Sequence, residues 1–292
     1  MAFKCRRMKK TYCFKSYNSK QNKYLDRQIS LAGSIYNHCI ALHKRYFRLY
    51  GRHLSGYALQ KHITKLKKLP KYSSWNKLGS QAIQDIVQRI DRGYTLFFNN
   101  RKRGIKTAPP SFKKCSKYKS FTLKQSGYKL LSGNKIKIGD RVYKYFKSRE
   151  IEGQIKTLTV KRDNLGDIYL FFVVDIDNSL IQDQLRSGKI VGFDFGLKTF
   201  LTSSDGNDIK SPLFFKQSLN QIRRANRSVS HKQRGSKRRH KAVLQLVRIH
   251  RELANRRRDF HFKLANRLTD TYEVLIFEDL TEILHITSSK HY

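Results

Sequence analysis

VGFDFGLKTF, residues 191–200, carries a single carboxylate, Asp194, within a run of apolar residues. The residues around it favour a β-strand: Ile190, Val191, Phe193 and Phe195. An Asp inside a hydrophobic strand is costly to bury unless another group pairs with it, and a divalent metal ion is one such partner. The alternative is an Asp at a turn or strand end, held by backbone N–H groups.

The neighbouring sequence predicts a small sheet around this strand. A second strand is expected from Leu197 to Ser204, a hairpin at Asp205-Gly206, and a third strand from Asn207 to Ser211. Another short apolar strand, Val274–Phe277, ends in Glu278-Asp279. Strands that deliver acids to one sheet edge form part of a two-metal phosphodiester site. Taken alone, the second acid pair is better explained as a solvated strand end than as a pair of metal ligands.

The charge of the chain indicates a polyanionic partner. The 292 residues contain 62 Lys and Arg against 21 Asp and Glu, a formal net charge of +41. Nucleic acid is the simplest partner, and an acidic membrane surface is the competing one. Since no apolar run approaches the length of a membrane span and no signal-peptide pattern is present, we predict DNA or RNA as partner, no membrane, and a cytoplasmic location.

The four cysteines give no sign of zinc. No Cys-x-x-Cys pair occurs among them: Cys5, Cys13, Cys39 and Cys115. We expect reduced thiols without a shared ligand role.

The first half of the chain predicts a helical module followed by strands. The module is preceded by a predicted edge strand at 3–14, and its helices are expected at about Lys20 to Tyr50, Ser55 to Lys68, and onward from Ser80 as N-cap. Short strands are then predicted at 120–123, 135–138, 156–160 and 168–174, which suggest a small barrel. Lysines alternate with aromatic residues in 117–119 and 143–147, a mixture that suits phosphate contact and base stacking, or else ordinary sheet surface.

A basic helical segment is predicted at 214–270, broken near Gly235-Ser236. Residues 223–258 contain fourteen Lys and Arg and one acid, Glu252. An apolar stripe that includes His250 predicts a packed helix with a cationic back, suited to a phosphate backbone. The candidate nucleic-acid contacts are Lys232, Arg234, Lys237, Arg238, Arg239, Arg256, Arg257 and Arg258.

Several of these stretches resemble a known family. Residues 192–198 resemble the first motif of a RuvC-like nuclease domain, and 276–280 resemble the second. Residues 232–239 and 253–260 resemble the TnpB/OrfB proteins of bacterial insertion sequences. Together with the N-terminal half, this resemblance covers nearly the whole chain.

The resemblance implies an α+β fold, in which a helical recognition module is inserted in a small wedge-like β-barrel and an incomplete RNase H-like (RuvC) α/β domain follows. The implied parts are the first barrel strands at 1–17, the recognition module at 18–105, the rest of the barrel at 106–180, and the nuclease domain at 189–292 with its basic segment at 214–270. It implies a transposon-encoded, RNA-guided DNA endonuclease that binds guide RNA and DNA. Asp194 and Glu278 would be catalytic ligands of Mg²⁺.

Family members also carry a four-cysteine zinc module and a third acidic motif, and neither is found before Tyr292. We therefore expect a C-terminally truncated chain that binds no zinc, binds Mg²⁺ weakly or not at all, and hydrolyses little. The first alternative is a non-catalytic RNA- or DNA-binding protein. A weaker one is a general RNA-binding protein unrelated to transposons. The oligomeric state stays open.

Overall fold

The computed structural model describes residues 8–176, 188–196 and 199–278, and the chain divides into two compact units, 1–181 and 182–292. Both units combine helices with strands, so the fold is mixed α+β, as predicted. No helix in the described ranges combines the length and the apolarity that a bilayer crossing requires.

Unit 1 opens with strand β1 (Met8–Lys15) and three helices. These are α1 (Asn22–Tyr50), α2 (Gly56–Leu66) and α3 (Ser80–Lys102), with a 3-10 helix at Pro70–Lys77 before α3 and another at Cys115–Lys117 after it. Six strands follow: β2 (Ser120–Leu123), β3 (Tyr128–Leu130), β4 (Lys135–Ile138), β5 (Arg141–Lys144), β6 (Gln154–Arg162) and β7 (Ile168–Ile176).

The strands of unit 1 form two antiparallel sheets. One has the order β1-β7-β6-β2 and the other the order β3-β4-β5. β1 is an edge strand, as predicted, and the three helices lie in the chain between the two edge strands β1 and β2. A bridge between Ser16 and Tyr145 connects the ends of β1 and β5. Within the described residues the strands do not close into the predicted barrel, because β1 and β2 stay at opposite edges of one sheet.

Local signals set the helix ends. Gly51 ends α1 with a φ of 62°, a left-handed conformation that glycine adopts without steric cost, and its N–H donates to the Phe47 carbonyl. The Ser55 hydroxyl caps α2 by accepting from the Ala58 N–H. The prediction that Ser80 caps α3 is wrong by one residue, because Gly79 takes the extended cap conformation and Ser80 is already helical.

Helices and sheet share one hydrophobic core in unit 1. Polar contacts fix the helices onto the sheet at its β2 and β6 strands. The Arg89 guanidinium lies 2.7 Å from the Asp85 carboxylate and donates to the Thr122 hydroxyl at 2.8 Å, which joins α3 to β2. Arg162 forms an ion pair with Asp26, which joins β6 to α1. These contacts connect the helical module directly to the sheet.

Unit 2 has the strand order β10-β9-β8-β11 and two helices. Its elements are β8 (Ile190–Asp194), β9 (Thr199–Ser203), β10 (Asp208–Lys210), α4 (Phe214–Ser230), α5 (Lys237–Thr271) and β11 (Val274–Phe277). β8 and β11 are parallel, and β9 pairs antiparallel with β8 and β10. The hairpin expected at Asp205-Gly206 is confirmed, with Gly206 at a φ of 77°.

The helix of 35 residues, α5, contributes to two separate apolar clusters in unit 2. Leu264 and Leu268 pack with Val191, Phe193 and Leu201 of the sheet. Nearer its start, Ile249 and Leu253 pack with Ile222 of α4. The predicted break is confirmed, since Gly235 has a φ of 87° and the Ser236 hydroxyl accepts from the Arg239 N–H at 3.1 Å. His250 is exposed, so its predicted place in the apolar stripe is wrong.

Candidate functional site

Asp194 and Glu278 lie at the same edge of the unit 2 sheet. β8 and β11 run parallel, and their register pairs Phe193 with Phe277. Asp194 is the last residue of β8, and Glu278 follows the last residue of β11. Each acid is the next residue after one of the two paired phenylalanines. Because the C-terminal ends of parallel strands lie at the same sheet edge, both acids lie at that edge. The two sequence-predicted acids are therefore brought together by backbone register.

The expectation that Asp194 is buried in an apolar core is wrong. Val191 and Phe193 are buried, whereas Asp194 is exposed. Side chains alternate between the two faces of a strand. Because Val191 and Phe193 face the core, Asp194 faces outward. Its environment is that of the alternative interpretation, a strand-end carboxylate. Exposure also removes the desolvation cost that made a metal partner necessary.

The acid edge has the donor chemistry of a single hard cation. Mg²⁺ is bound in proteins through one or two carboxylates, with water and substrate phosphate completing its coordination, and Asp194 and Glu278 fit that donor set. Across residues 8–176, 188–196 and 199–278, no group of three or more His, Cys, Asp or Glu side chains could hold a metal. Asp279, the second acid of the predicted pair, lies outside the described residues.

Aromatic rings flank the acid edge, and the sequence interpretation did not assign them a role. The Phe193 and Phe277 rings stack with centroids 5.4 Å apart, and Phe195 stacks on Phe277 at 6.0 Å. Phe195 and Phe277 are both exposed. The signal was available, because each exposed phenylalanine is the chain neighbour of an acid.

The eight predicted basic contacts fall into two groups on α5 and the turn before it. The first group is Lys232, Arg234, Lys237, Arg238 and Arg239, around the break between α4 and α5. Arg234, Lys237 and Arg238 are exposed, while Lys232 is half-buried and donates to the Ser228 hydroxyl at 2.6 Å. An open depression of about 620 Å³ lies here, lined chiefly by Lys237, Arg239, His240 and Lys241. This group presents cations around the first turn of a helix.

The second group, Arg256, Arg257 and Arg258, is exposed along the middle of α5. The Arg256 guanidinium lies over the Phe214 ring at 4.9 Å, and that of Arg258 lies over Phe262 at 5.5 Å. Cation–aromatic stacking of this kind holds the charged heads in place without neutralising them.

Two depressions of about 400 and 390 Å³ adjoin the second group. Both include Phe214 and Phe260, and the first also includes Lys263 and Arg267. The sequence interpretation missed Lys263 and Arg267. Their spacing with Arg256 and Phe260, at three and four residues, places all four on one helix face and could have revealed them.

Comparisons with known proteins agree with these motifs. Residues 171–282 match the OrfB_IS605 family, described as "Probable transposase". Over 125 residues the chain is 34% identical to a "Putative RNA-guided DNA endonuclease" of Streptomyces pristinaespiralis, covering 43% of this chain and 30% of that protein. Over 208 residues it is 27% identical to the "Putative RNA-guided DNA endonuclease InsQ" of Escherichia coli (strain K12), covering 69% and 48%. The chain thus spans at most about half the length of these two relatives.

Among solved structures, the "Cryo-EM structure of the Cas12f1-sgRNA-target DNA complex" matches 96% of this chain and 75% of that chain, with 13% identity and a TM-score of 0.37. The family match includes both acids and all eight predicted basic contacts. Over residues 171–282 the chain is therefore similar to the OrfB_IS605 family.

Proposed function

We propose that this chain is a transposon-encoded protein that binds guide RNA and DNA, and that its acid edge belongs to a metal-dependent phosphodiester hydrolysis site of the RuvC type. The observation that carries the proposal is the parallel register of Phe193 with Phe277, which puts Asp194 and Glu278 at one sheet edge. The domain limits proposed from the sequence, 1–17, 18–105, 106–180 and 189–292, belong to the same proposal.

In this proposal each group of residues has a separate task. Asp194 and Glu278 hold Mg²⁺, which when bound supplies charge stabilisation for the attacking and leaving oxygens of the phosphodiester. The exposed cations of α5 bind the phosphate backbone and fix its position. α5 packs on the same sheet through Leu264 and Leu268, so one element links the cationic surface to the acid-bearing strands.

We propose that Asp194 and Glu278 by themselves support little hydrolysis. Two carboxylates supply part of the ligand set that two ions need for an in-line displacement, and an incomplete set loosens the geometry of the reacting groups. The same observation favours a second candidate, nucleic-acid binding without hydrolysis. The abundance of exposed cations on α5 supports binding in either case.

Cleavage assays separate these two candidates. The purified chain would be incubated with Mg²⁺, a guide RNA and a matching duplex, beside a chimera that appends the C-terminal segment of a relative. We expect cleavage in the chimera that Asp194→Asn and Glu278→Gln each abolish, and little cleavage by the unextended chain. Asp270→Asn, which neutralises an exposed acid at the end of α5, is the matched control and should leave cleavage unchanged.

The outcomes are unambiguous. If the unextended chain cleaves and Asp194→Asn stops the cleavage, the acid edge is catalytic. The proposal that the two acids by themselves support little hydrolysis is then wrong. If neither protein cleaves although both bind, the non-catalytic candidate is favoured.

Binding itself should weaken with salt, with a slope of log K on log salt of about −0.9 per phosphate contact on duplex DNA. A flat salt dependence would contradict the nucleic-acid proposal as a whole.

A further inference from the structure

Unit 1 displays a pair of stacked aromatic rings on its surface. The centroids of the Tyr17 and Phe146 rings are 3.8 Å apart with an angle of 24° between their planes. The residues are 39% and 47% exposed, so part of each ring is open to solvent. Aromatic rings that are already stacked and partly exposed can accept a further planar ring.

Backbone hydrogen bonds hold this pair in place. The Tyr17 N–H donates to the Lys144 carbonyl at 2.9 Å, and the Phe146 N–H donates to the Lys15 carbonyl at 2.8 Å. Between them lies the bridge of Ser16 with Tyr145. The Asn22 amide also donates to the Tyr17 carbonyl, at 3.0 Å. The two rings are therefore set by a ladder that joins β1 to β5, and not by a loose surface loop.

The structure separates the aromatic residues of the 143–147 run into two roles. Tyr143 and Tyr145 are buried, and the Tyr145 ring packs 5.4 Å from that of Phe14 in the core. Alternation along the strand then places Phe146 on the opposite, outer side. Of the three aromatic residues in this run, Phe146 is the one that could contact a ligand.

The same outer side of the β3-β4-β5 sheet carries four exposed lysines. Lys129 lies directly opposite Lys137, and Lys135 lies directly opposite Lys144. Like charges in directly opposed positions destabilise a sheet. A polyanion bound to this face would neutralise both pairs, and residues 128–144 contain a single acid, Asp140.

From the stacked rings and the opposed lysines together, we propose that Tyr17 and Phe146 form a stacking platform for an unpaired nucleobase, with the lysines of the β3-β4-β5 sheet binding the adjoining phosphates. The ligand class is single-stranded nucleic acid. Aromatic stacking accepts any base, because every base has a π-face, so the platform selects for unpaired bases and not for sequence. This inference rests on the proposed nucleic-acid binding and is independent of hydrolysis at the acid edge.

The first test compares two probes that differ only in their bases. Binding of the full chain would be measured for an oligouridylate of about ten nucleotides and for an abasic oligomer of the same length and backbone. Base–aromatic stacking contributes about 1–3 kcal/mol per base, so Phe146→Leu should weaken oligouridylate binding by about tenfold or more. Binding of the abasic oligomer should be unchanged. Tyr57→Leu, which removes a 78% exposed ring from α2, is the control and should change neither.

The lysines are tested separately. Lys135→Gln should weaken both probes equally and reduce the single-strand salt slope by about 0.7, because it removes a phosphate contact and no stacking surface. An oligodeoxyuridylate arm, which differs from oligouridylate only in the sugar, identifies the sugar that the platform prefers. A preference for either RNA or DNA supports the platform provided that Phe146→Leu weakens binding of the preferred probe.

A second variant keeps the proposal testable if Phe146→Leu fails to fold. Phe146→Trp preserves the stack and places a reporter in it. Its emission, taken as the difference from the wild-type chain with its single Trp75, should be quenched by oligouridylate but not by the abasic oligomer. The platform is overturned if Phe146→Leu retains the full wild-type preference for oligouridylate over the abasic oligomer. It is also overturned if both probes bind and the Trp emission does not change. If the wild-type chain binds neither probe nor duplex, the proposed function itself fails.

Discussion

Helices α1 and α5 are the two longest in the protein, and they are built on opposite principles. α1 has 29 residues, nine of them buried, whereas α5 has 35 residues and only four are buried. The buried residues of α1 form a continuous stripe into the unit 1 core, while those of α5 pack into two small clusters. α1 is stabilised by packing within the chain. α5 leaves most of its surface free for a partner.

The charges at the helix ends follow the same contrast. A helix carries partial positive charge at its N-terminus and partial negative charge at its C-terminus. α1 has Arg48 in its last turn, the favourable arrangement. α5 begins with Lys237, Arg238 and Arg239, has no acid in its first turn and no base in its last. α5 therefore gives up some stability and gains a concentrated site for anions.

The largest effect on stability is expected in α1. Ile40 is fully buried in the unit 1 core, so Ile40→Ala should lower the free energy of unfolding by about 2–5 kcal/mol, because apolar burial is reduced and a cavity is added. Leu49→Ala, at a residue 66% exposed on the same helix, should change it by less than about 0.5 kcal/mol. Chemical denaturation of both variants measures the difference. Equal effects would mean that α1 is not the core helix described here.

The largest effect on binding is expected in α5. Replacing Arg256, Arg257 and Arg258 together by Ala should reduce the salt slope on duplex DNA by up to about 2.7, at about 0.9 for each phosphate that is no longer neutralised. The three residues are exposed, so the unfolding transition should hardly change. A matched triple of exposed cations in unit 1, Arg48, Arg52 and Lys61, should weaken binding less. A greater weakening from the unit 1 triple would show that the cations of unit 1, and not those of α5, dominate binding.

The sequence was sufficient for most helices and strands, because their patterns are local. The spacing of apolar residues predicted α1, α2 and the two helices around Gly235, and alternation predicted β2, β4, β6 and β7. The short strand β5 was not predicted, because only one of its four residues is buried and no alternation is visible, and β3 has only three residues. Their pairing with β4 joins separate segments, which a pattern within one segment does not report. The 3-10 helix at Pro70–Lys77, of eight residues, was also missed.

The candidate site was predictable in its residues but not in its environment. Asp194 was identified inside an apolar strand and Glu278 at the end of another, yet the exposure of Asp194 depends on which face of β8 meets α5. His250 shows the same limitation. It was assigned to an apolar stripe, but the buried positions near it are Ile249 and Leu253, which are four residues apart and define a narrower face. Helix periodicity shows which residues share a face of the helix. The surface that packs against the helix determines how many of those residues are buried.

Acidification is expected to destabilise unit 1 selectively. The Nε2 atoms of His38 and His62 lie 3.1 Å apart, an arrangement that needs at least one neutral ring, and burial lowers the pKa of both residues. Burial also lowers the pKa of His43. An unfolded chain binds these protons near the ordinary value of about 6.5, before the folded chain does. The contribution of these neutral histidines to the free energy of unfolding is therefore complete above that pH, and it diminishes as the pH falls below it.

Denaturation midpoints between about pH 5 and 8 would measure this effect. His38→Asn and His62→Asn should each flatten the acid limb of the stability profile, whereas His250→Asn, at an exposed position on α5, should leave it unchanged. A profile for the His62 variant that matches the wild type would show that the imidazole pair does not control the acid response.

The smallest effect is expected at Arg238, and it should have opposite signs for stability and binding. Arg238 is exposed in the first turn of α5, where its charge adds to the positive end of the helix dipole. Arg238→Glu should stabilise the helix by about 0.3–1 kcal/mol, since an acid in the first turn is favourable. The same change should weaken binding of duplex DNA, because it replaces a cation by an anion. Arg238→Gln should give intermediate values of both.

Hydrogen exchange of the amides in the first turns of α5, measured together with DNA affinity, tests the prediction directly. A variant that both destabilised α5 and weakened binding would indicate that Arg238 supports the fold. Opposite signs would show that the chain retains a cation at a position where the isolated helix is more stable without it.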